Sequence, residues 1–161
     1  MKKYSFWIIF GVIAVLLVGF SIWQRQTAVQ VSEDELSQGI SQRWDGGLPD
    51  GFEKTEATDT DGAGSGYLFA KLVYQKDIAN LLEQWESASA GTGEAFLALT
   101  DAYLQCDFIS EANRAVVQNN RPAVSDAFIG FSMEKEDSDA QIVLLYDKAG
   151  QTMYIAERLA P

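Results

Sequence analysis

The residue types that carry most enzyme chemistry are sparse in this chain, and histidine is absent. Without imidazole the chain lacks the usual general base at neutral pH, the commonest zinc ligand and every catalytic triad that depends on it. Its single cysteine, Cys106, excludes an intramolecular disulfide. Cys106 falls near the C-terminal end of a predicted helix with Asp107 beside it, an environment that disfavours a thiolate. We therefore interpret Cys106 as a small buried apolar residue.

Two short patterns resemble functional motifs. Residues 59–64 (DTDGAG) match an EF-hand loop at its first, third and sixth positions, but Ala63 and Ala70 replace the fifth and twelfth ligands. A flexible acidic loop is the better interpretation, and weak cation binding is left open. Ser132 and Lys135 match S-x-x-K, a pattern that needs both side chains one helical turn apart, whereas this segment is predicted as a strand. We predict no catalytic residue, no metal ligand and no cofactor site.

Charge separates the chain into two parts. Three of its 12 basic residues, Lys2, Lys3 and Arg25, flank an N-terminal apolar run, so 9 remain against 23 acidic residues, a net charge of −14. Such a domain repels phosphate backbones and anionic lipid headgroups, so nucleic acid is not an expected partner. A protein partner is expected, and a basic protein surface suits this charge.

The apolar run, residues 6–23, contains no charged residue. As a helix its 18 residues would span about 27 Å, close to the hydrocarbon thickness of about 30 Å. Two lysines precede it and only Arg25 follows closely, so the positive-inside bias predicts a cytoplasmic N-terminus and an extracytoplasmic C-terminal domain. A cleaved signal peptide is the alternative, but the run is long for its hydrophobic region and the cleavage signals are poor.

The predicted organisation is therefore a cytoplasmic N-terminus (1–5), a transmembrane helix (6–23), a linker (24–31) and one extracytoplasmic α+β domain (32–161). Ser32 opens a capping box with Glu35 and begins a first helix, with Leu36, Ile40 and Trp44 as its apolar stripe. Three further helices are predicted, over 78–85, over 94–108, and after Ser110 through 117. Asp77 can cap the first of these, whose apolar face consists of Ile78, Leu81, Leu82 and Trp85.

Strands are predicted from alternating or dense apolar residues. Residues 45–66 read as a glycine- and aspartate-rich loop holding a short edge strand at 52–58, and 67–75 form a stronger strand. Three antiparallel strands follow over 124–133, 141–147 and 152–158, the last two joined by a hairpin with Gly150 available for a left-handed residue. We expect two to four helices packed on one face of a mainly antiparallel sheet of about four strands.

The missing catalytic apparatus and the anchor together favour a binding or assembly module, an accessory subunit of an envelope protein complex in the cell membrane. Three alternatives stay open: an inhibitor or immunity-type protein acting on an exported basic partner, a sensor domain that signals through a partner, and a histidine-independent envelope enzyme. Enzymatic activity is the less favoured class. The sequence does not specify a small-molecule ligand.

Overall fold

A computed structural model describes residues 31–59, 66–88, 91–107 and 109–159 of the chain. These residues form three α-helices, one short 3₁₀ helix (Ala79–Leu81) and six strands. The helices are α1 (Glu33–Arg43), α2 (Thr92–Gln105) and α3 (Glu111–Asn120). The strands are β1 (Phe52–Asp59), β2 (Gly66–Tyr74), β3 (Glu86–Ser87), β4 (Phe128–Glu134), β5 (Gln141–Asp147) and β6 (Thr152–Leu159).

All six strands form one antiparallel sheet in the order β1-β2-β6-β5-β4-β3. This confirms the α+β class and the antiparallel sheet, and it adds strands to the expected four or so. β5 lies inside the sheet, and the five residues from Ile142 to Tyr146 are all buried. A strand covered on both faces reads as a continuous apolar run, which explains the sequence QIVLLYD.

Helices cover both faces of the sheet, so the expectation that they would share one face is wrong. One face carries α1, whose Leu36 and Ile40 pack in a cluster with β-strand residues such as Leu72 and Ile155. The opposite face carries α2 and α3, represented by Phe96 and by Val117, in a second cluster. Because alternate strand residues point to opposite faces, each internal strand contributes to both clusters.

The helix starts follow the predicted capping signals. The Ser32 side chain accepts from the Glu35 amide while the Glu35 side chain accepts from the Ser32 amide, completing the capping box. Ser110 caps α3 by accepting from the Asn113 amide at 3.0 Å. α2 begins two residues before the predicted start at 94 and ends at Gln105, so the predicted end at 108 is wrong; Cys106 already has an extended backbone.

The predicted helix over 78–85 is wrong, because only the 3₁₀ turn forms there. The buried face fails at Leu81, which is 65% exposed, although Ile78 and Leu82 are buried. Eight residues make a marginal isolated helix, and this segment has other partners. The Ile78 amide donates to the Tyr146 hydroxyl, and the chain after Trp85 pairs with the sheet as β3.

The hairpin between β5 and β6 is confirmed, but its left-handed residue is Gln151 (φ 48°) and not Gly150. A Cβ at Gly150 would lie 2.6 Å from Asp147 Oδ2, so a larger residue there would require the Asp147 side chain to shift. Among the four described segments, no helix is long and apolar enough to cross a bilayer. The predicted span, 6–23, lies outside these segments.

Candidate functional site

An apolar groove opens on the α1 face of the sheet, between the C-terminal end of α1 and β4. We call it the aromatic groove; it holds about 170 Å³. Its lining comes from the end of α1, the following loop, Trp85 and the facing strand residues: Ile40, Trp44, Asp45, Gly46, Gly47, Leu48, Pro49, Trp85, Phe131, Met133, Ile142, Leu144 and Met153. From the sequence, Trp44 and Trp85 were predicted on the apolar faces of two helices, and no groove was expected.

One wall of the groove is a stacked aromatic pair. The Trp85 and Phe131 rings lie 6.0 Å apart with an angle of 24° between their planes. The pairing of Glu86 with Gly130 explains this position, because it brings the preceding residue, Trp85, opposite Phe131. Both rings are only partly buried, so they present apolar surface at the groove.

Trp44 also lines the groove, and a buried carboxylate holds it in place. The Trp44 indole N–H donates to Glu157 Oε1 at 2.7 Å, and Arg43 donates to the two carboxylate oxygens at 2.6 and 2.7 Å. Glu157 is fully buried, so these charge-assisted bonds replace its hydration. Glu157 was not predicted as a site residue, although the period of two in β6 places it on the same face as Met153 and Ile155.

The segment that carries Trp85 is anchored at its other end by a hydroxyl–carboxylate contact. The Tyr146 hydroxyl donates to Asp77 Oδ1 at 2.9 Å and accepts from the Ile78 amide at 3.2 Å. The Ala79 N–H and then the Tyr146 hydroxyl lower the pKa of Asp77 by donating to its carboxylate. Burial raises the pKa of Tyr146 and keeps it a neutral donor. Asp77 thus stabilises a turn and does not cap a helix.

Charged groups border the groove. The Lys135 ammonium lies 5.3 Å from the centroid of the Trp44 ring, within cation–π range. Four exposed carboxylates lie on the chain segments that adjoin the groove, and we call them the acidic rim: Asp45, Asp50, Glu136 and Asp137. Asp45 itself lines the groove, and the others follow or neighbour lining residues or Lys135 in the chain. The chain segments that border the groove therefore carry a negative excess.

The motif residues singled out from the sequence are not brought together at the groove. Of the EF-hand-like segment, only Asp59 is described; its backbone carbonyl accepts from the Asn113 side chain at 2.8 Å. Ser132 lies on β4 and Lys135 just after it, which confirms the strand prediction and separates them from S-x-x-K geometry. No group of three or more acidic or cysteine side chains within the described segments could hold a metal ion.

Cys106 follows α2, and its thiol donates to the Ala102 carbonyl at 3.4 Å. Burial raises the pKa of the thiol, and Asp107 adds to this, while Arg114 opposes it. The side chain is partly buried rather than fully buried. The prediction that Cys106 would not favour a thiolate agrees with this direction.

The arrangement can bind a group but shows no assembled catalytic set in the part of the chain that is described. Its buried carboxylate, Glu157, is committed to Arg43 and Trp44, and the groove itself is lined mostly by apolar side chains. Comparisons with protein-family models, with curated proteins and with solved structures find no match to this chain.

Proposed function

We propose that this protein is a single-pass, membrane-anchored binding module whose extracytoplasmic domain docks on another protein, as an accessory subunit of an envelope complex. The observation that carries the proposal is the aromatic groove, a concave apolar surface flanked by Trp44 and Trp85. Aromatic residues that surround a small pocket are typical of the centres of protein interfaces, where an anchor side chain of the partner is buried.

The network beneath Trp44 supports a preformed site. Trp44 is 5% exposed and fixed by its bond to Glu157, while Trp85 is fixed by stacking and by the adjoining β3 pairing. Walls held in one arrangement before binding reduce the conformational entropy that a partner would otherwise have to offset. A rigid groove therefore favours binding over a purely structural use of these aromatic residues.

The anchor and linker define where such docking would occur. We propose that residues 6–23 span the membrane with 1–5 in the cytoplasm, and that the linker 24–31 connects to the domain. Eight residues reach at most about 28 Å when fully extended. The domain would then stay close to the bilayer, where tethering raises its effective concentration towards other membrane-bound proteins.

A second candidate is an inhibitor or immunity-type protein that acts on an exported basic partner. The net charge of −14 on the domain favours it. Association of this kind depends on long-range charge and weakens steeply with salt. Docking by an apolar anchor keeps most of its affinity at high salt, so the salt dependence of the complex separates the two candidates.

Site-specific photocrosslinking in intact cells tests the docking proposal. A photoreactive residue replaces Asp50, exposed beside the groove, or Glu94, exposed on the opposite face of the domain. Docking predicts an adduct of defined mass from position 50 that is absent from position 94 and lost with Trp85→Ala. Circular dichroism of the variant checks that the fold is retained. Identical adducts from both positions, or none from position 50, would contradict the proposal.

A further inference from the structure

The size of the aromatic groove limits what it can take. Pockets for drug-sized ligands generally hold about 300–1,000 Å³, and this groove holds about 170 Å³. An apolar cavity of about 150 Å³ in another protein accommodates one benzene ring. The groove is therefore of a size for a single aromatic or branched aliphatic side chain.

The lining agrees with that occupant. Trp44, Trp85 and Phe131 offer ring faces and edges, and Met133 adds a flexible thioether that contacts aromatic rings favourably. The loop beside them leaves room at Gly47, where a Cβ would have no atom within 4 Å. An anchor side chain can approach from that open side.

The charges near the groove indicate which residues should flank the inserted side chain of the partner. The four carboxylates of the acidic rim share the described segments that border the groove with one exposed lysine, Lys135; the other cation there, Arg43, is bound to Glu157. Lys135 also shows how a cation uses this surface, because its ammonium lies over the Trp44 ring. A lysine or arginine of a partner can make the same kind of contact with the partly exposed rings of Trp85 and Phe131 and neutralise the rim carboxylates.

The position of the groove argues against a lipid surface as its occupant. The Val31 amide donates to the Ala57 carbonyl at 3.5 Å, so the chain reaches α1 beside the β1 edge. The groove starts at the other end of α1, about 16 Å away for 11 residues. An acidic rim also repels anionic headgroups.

We infer that the aromatic groove binds a protein segment that inserts one bulky apolar side chain, preferably aromatic, with lysine or arginine residues on either side of it. The inference rests on the proposed docking function and specifies the chemistry of the partner. The apolar anchor provides most of the affinity, and the basic flanks provide orientation and faster association.

Peptide binding to the full-length chain in nanodiscs of zwitterionic lipid tests this chemistry. The probe is a fluorescent peptide of sequence Lys-Lys-Ser-Phe-Ser-Lys-Lys, followed by anisotropy. Replacing its phenylalanine with alanine should weaken binding by about 10- to 100-fold, from the apolar surface left unburied. Replacing the lysines with glutamates should abolish binding.

Protein variants locate the site. Gly47→Phe places a ring in the open side of the groove and should weaken binding about 10-fold, and Trp85→Ala should do the same by removing a wall. Asp45→Asn with Glu136→Gln should weaken it about 3- to 10-fold. The matched control, Glu94→Gln with Glu111→Gln, removes two carboxylates from the opposite face and should leave binding unchanged.

The outcomes separate this inference from the proposed function. Equal binding of the alanine peptide, or an equal loss with the Glu94 and Glu111 control, would show mere charge attraction and overturn the inference. Absence of saturable peptide binding, together with a crosslinked partner at position 50, would overturn the partner chemistry and leave docking intact. Failure of the crosslink itself would overturn docking.

Discussion

Replacing Arg43 and replacing Glu157 should lower the stability of the domain by different amounts. Glu157 is fully buried, whereas the Arg43 side chain is 34% exposed. Arg43→Met would leave a buried carboxylate with only the Trp44 N–H, and breaking a buried pair in this way costs about 3–5 kcal/mol. Glu157→Gln keeps an acceptor for Trp44 and lets the guanidinium turn to water, so we expect a cost of about 1–2 kcal/mol.

Thermal unfolding of the full-length chain, followed by near-ultraviolet circular dichroism in mild detergent, measures the difference. At about 4 °C for each kcal/mol, Arg43→Met should lower Tm by about 12 °C or more and Glu157→Gln by about 4–8 °C. The double variant should cost less than the two single changes added together, because the uncharged amide introduced by Glu157→Gln no longer needs the guanidinium.

Arg121→Met is the matched control, because the carboxylate that it leaves without a partner, Asp101, is 53% exposed and can be hydrated, although the Arg121 side chain itself is only 22% exposed. A pair with one exposed partner contributes about 1 kcal/mol or less, so the Tm of Arg121→Met should fall by about 4 °C at most. An equal or larger loss from Glu157→Gln than from Arg43→Met would refute the argument that burial of the carboxylate decides the energetics.

Three further predictions concern local features. Gly93→Ala should lower the free energy of unfolding by about 1–3 kcal/mol, because a Cβ there would lie 2.8 Å from the Ala88 carbonyl oxygen. Gly46→Ala is the control: its Cβ would have open space around it, so the free energy of unfolding should change by less than about 0.5 kcal/mol. Ser32→Ala should cost about 1 kcal/mol in denaturant unfolding, and full stability of this variant would contradict a role for the capping box. The pKa of Asp77 is lowered in the fold, so the stability that its ionised carboxylate contributes is present above about pH 4 and is lost as the pH falls through the lowered pKa. The difference in Tm between the wild type and Asp77→Asn should therefore shrink on acidification. A difference that stays constant with pH would contradict a stabilising contact between Asp77 and Tyr146.

The elements that were predicted well depend on signals within a few residues. Each helix start depends on two residues three positions apart, Ser32 with Glu35 and Ser110 with Asn113, so it can be predicted from the local sequence. The continuous apolar run of β5 likewise indicates, from neighbouring residues alone, a strand that is covered on both faces. The predicted 78–85 helix failed because its apolar spacing also suits a turn and an edge strand, and the non-local partner Tyr146 decided between them.

The candidate site was much harder to predict. The aromatic groove unites residues from the end of α1, the Trp85 segment, β4, β5 and β6, and each aromatic residue by itself reads as core. Glu157 carried one available signal, a charge on the apolar face of a strand, but its partner Arg43 lies 114 residues away. A single sequence does not show which residues that are far apart in the chain come into contact in the fold.

The sequence by itself determined the class of the domain, the acidic character of its surface, the absence of imidazole chemistry and the prediction of a membrane anchor. These follow from composition and from periods of 2 and 3.6 residues, which need no knowledge of distant contacts. Only the tertiary structure decided that helices cover both faces of the sheet, that Glu157 holds Trp44, and that Trp44 and Trp85 flank one groove. The physical reason is that the strand order and the packing between α1 and β4 depend on contacts between residues far apart in the chain. The energies of these contacts exceed the conformational preferences of individual segments.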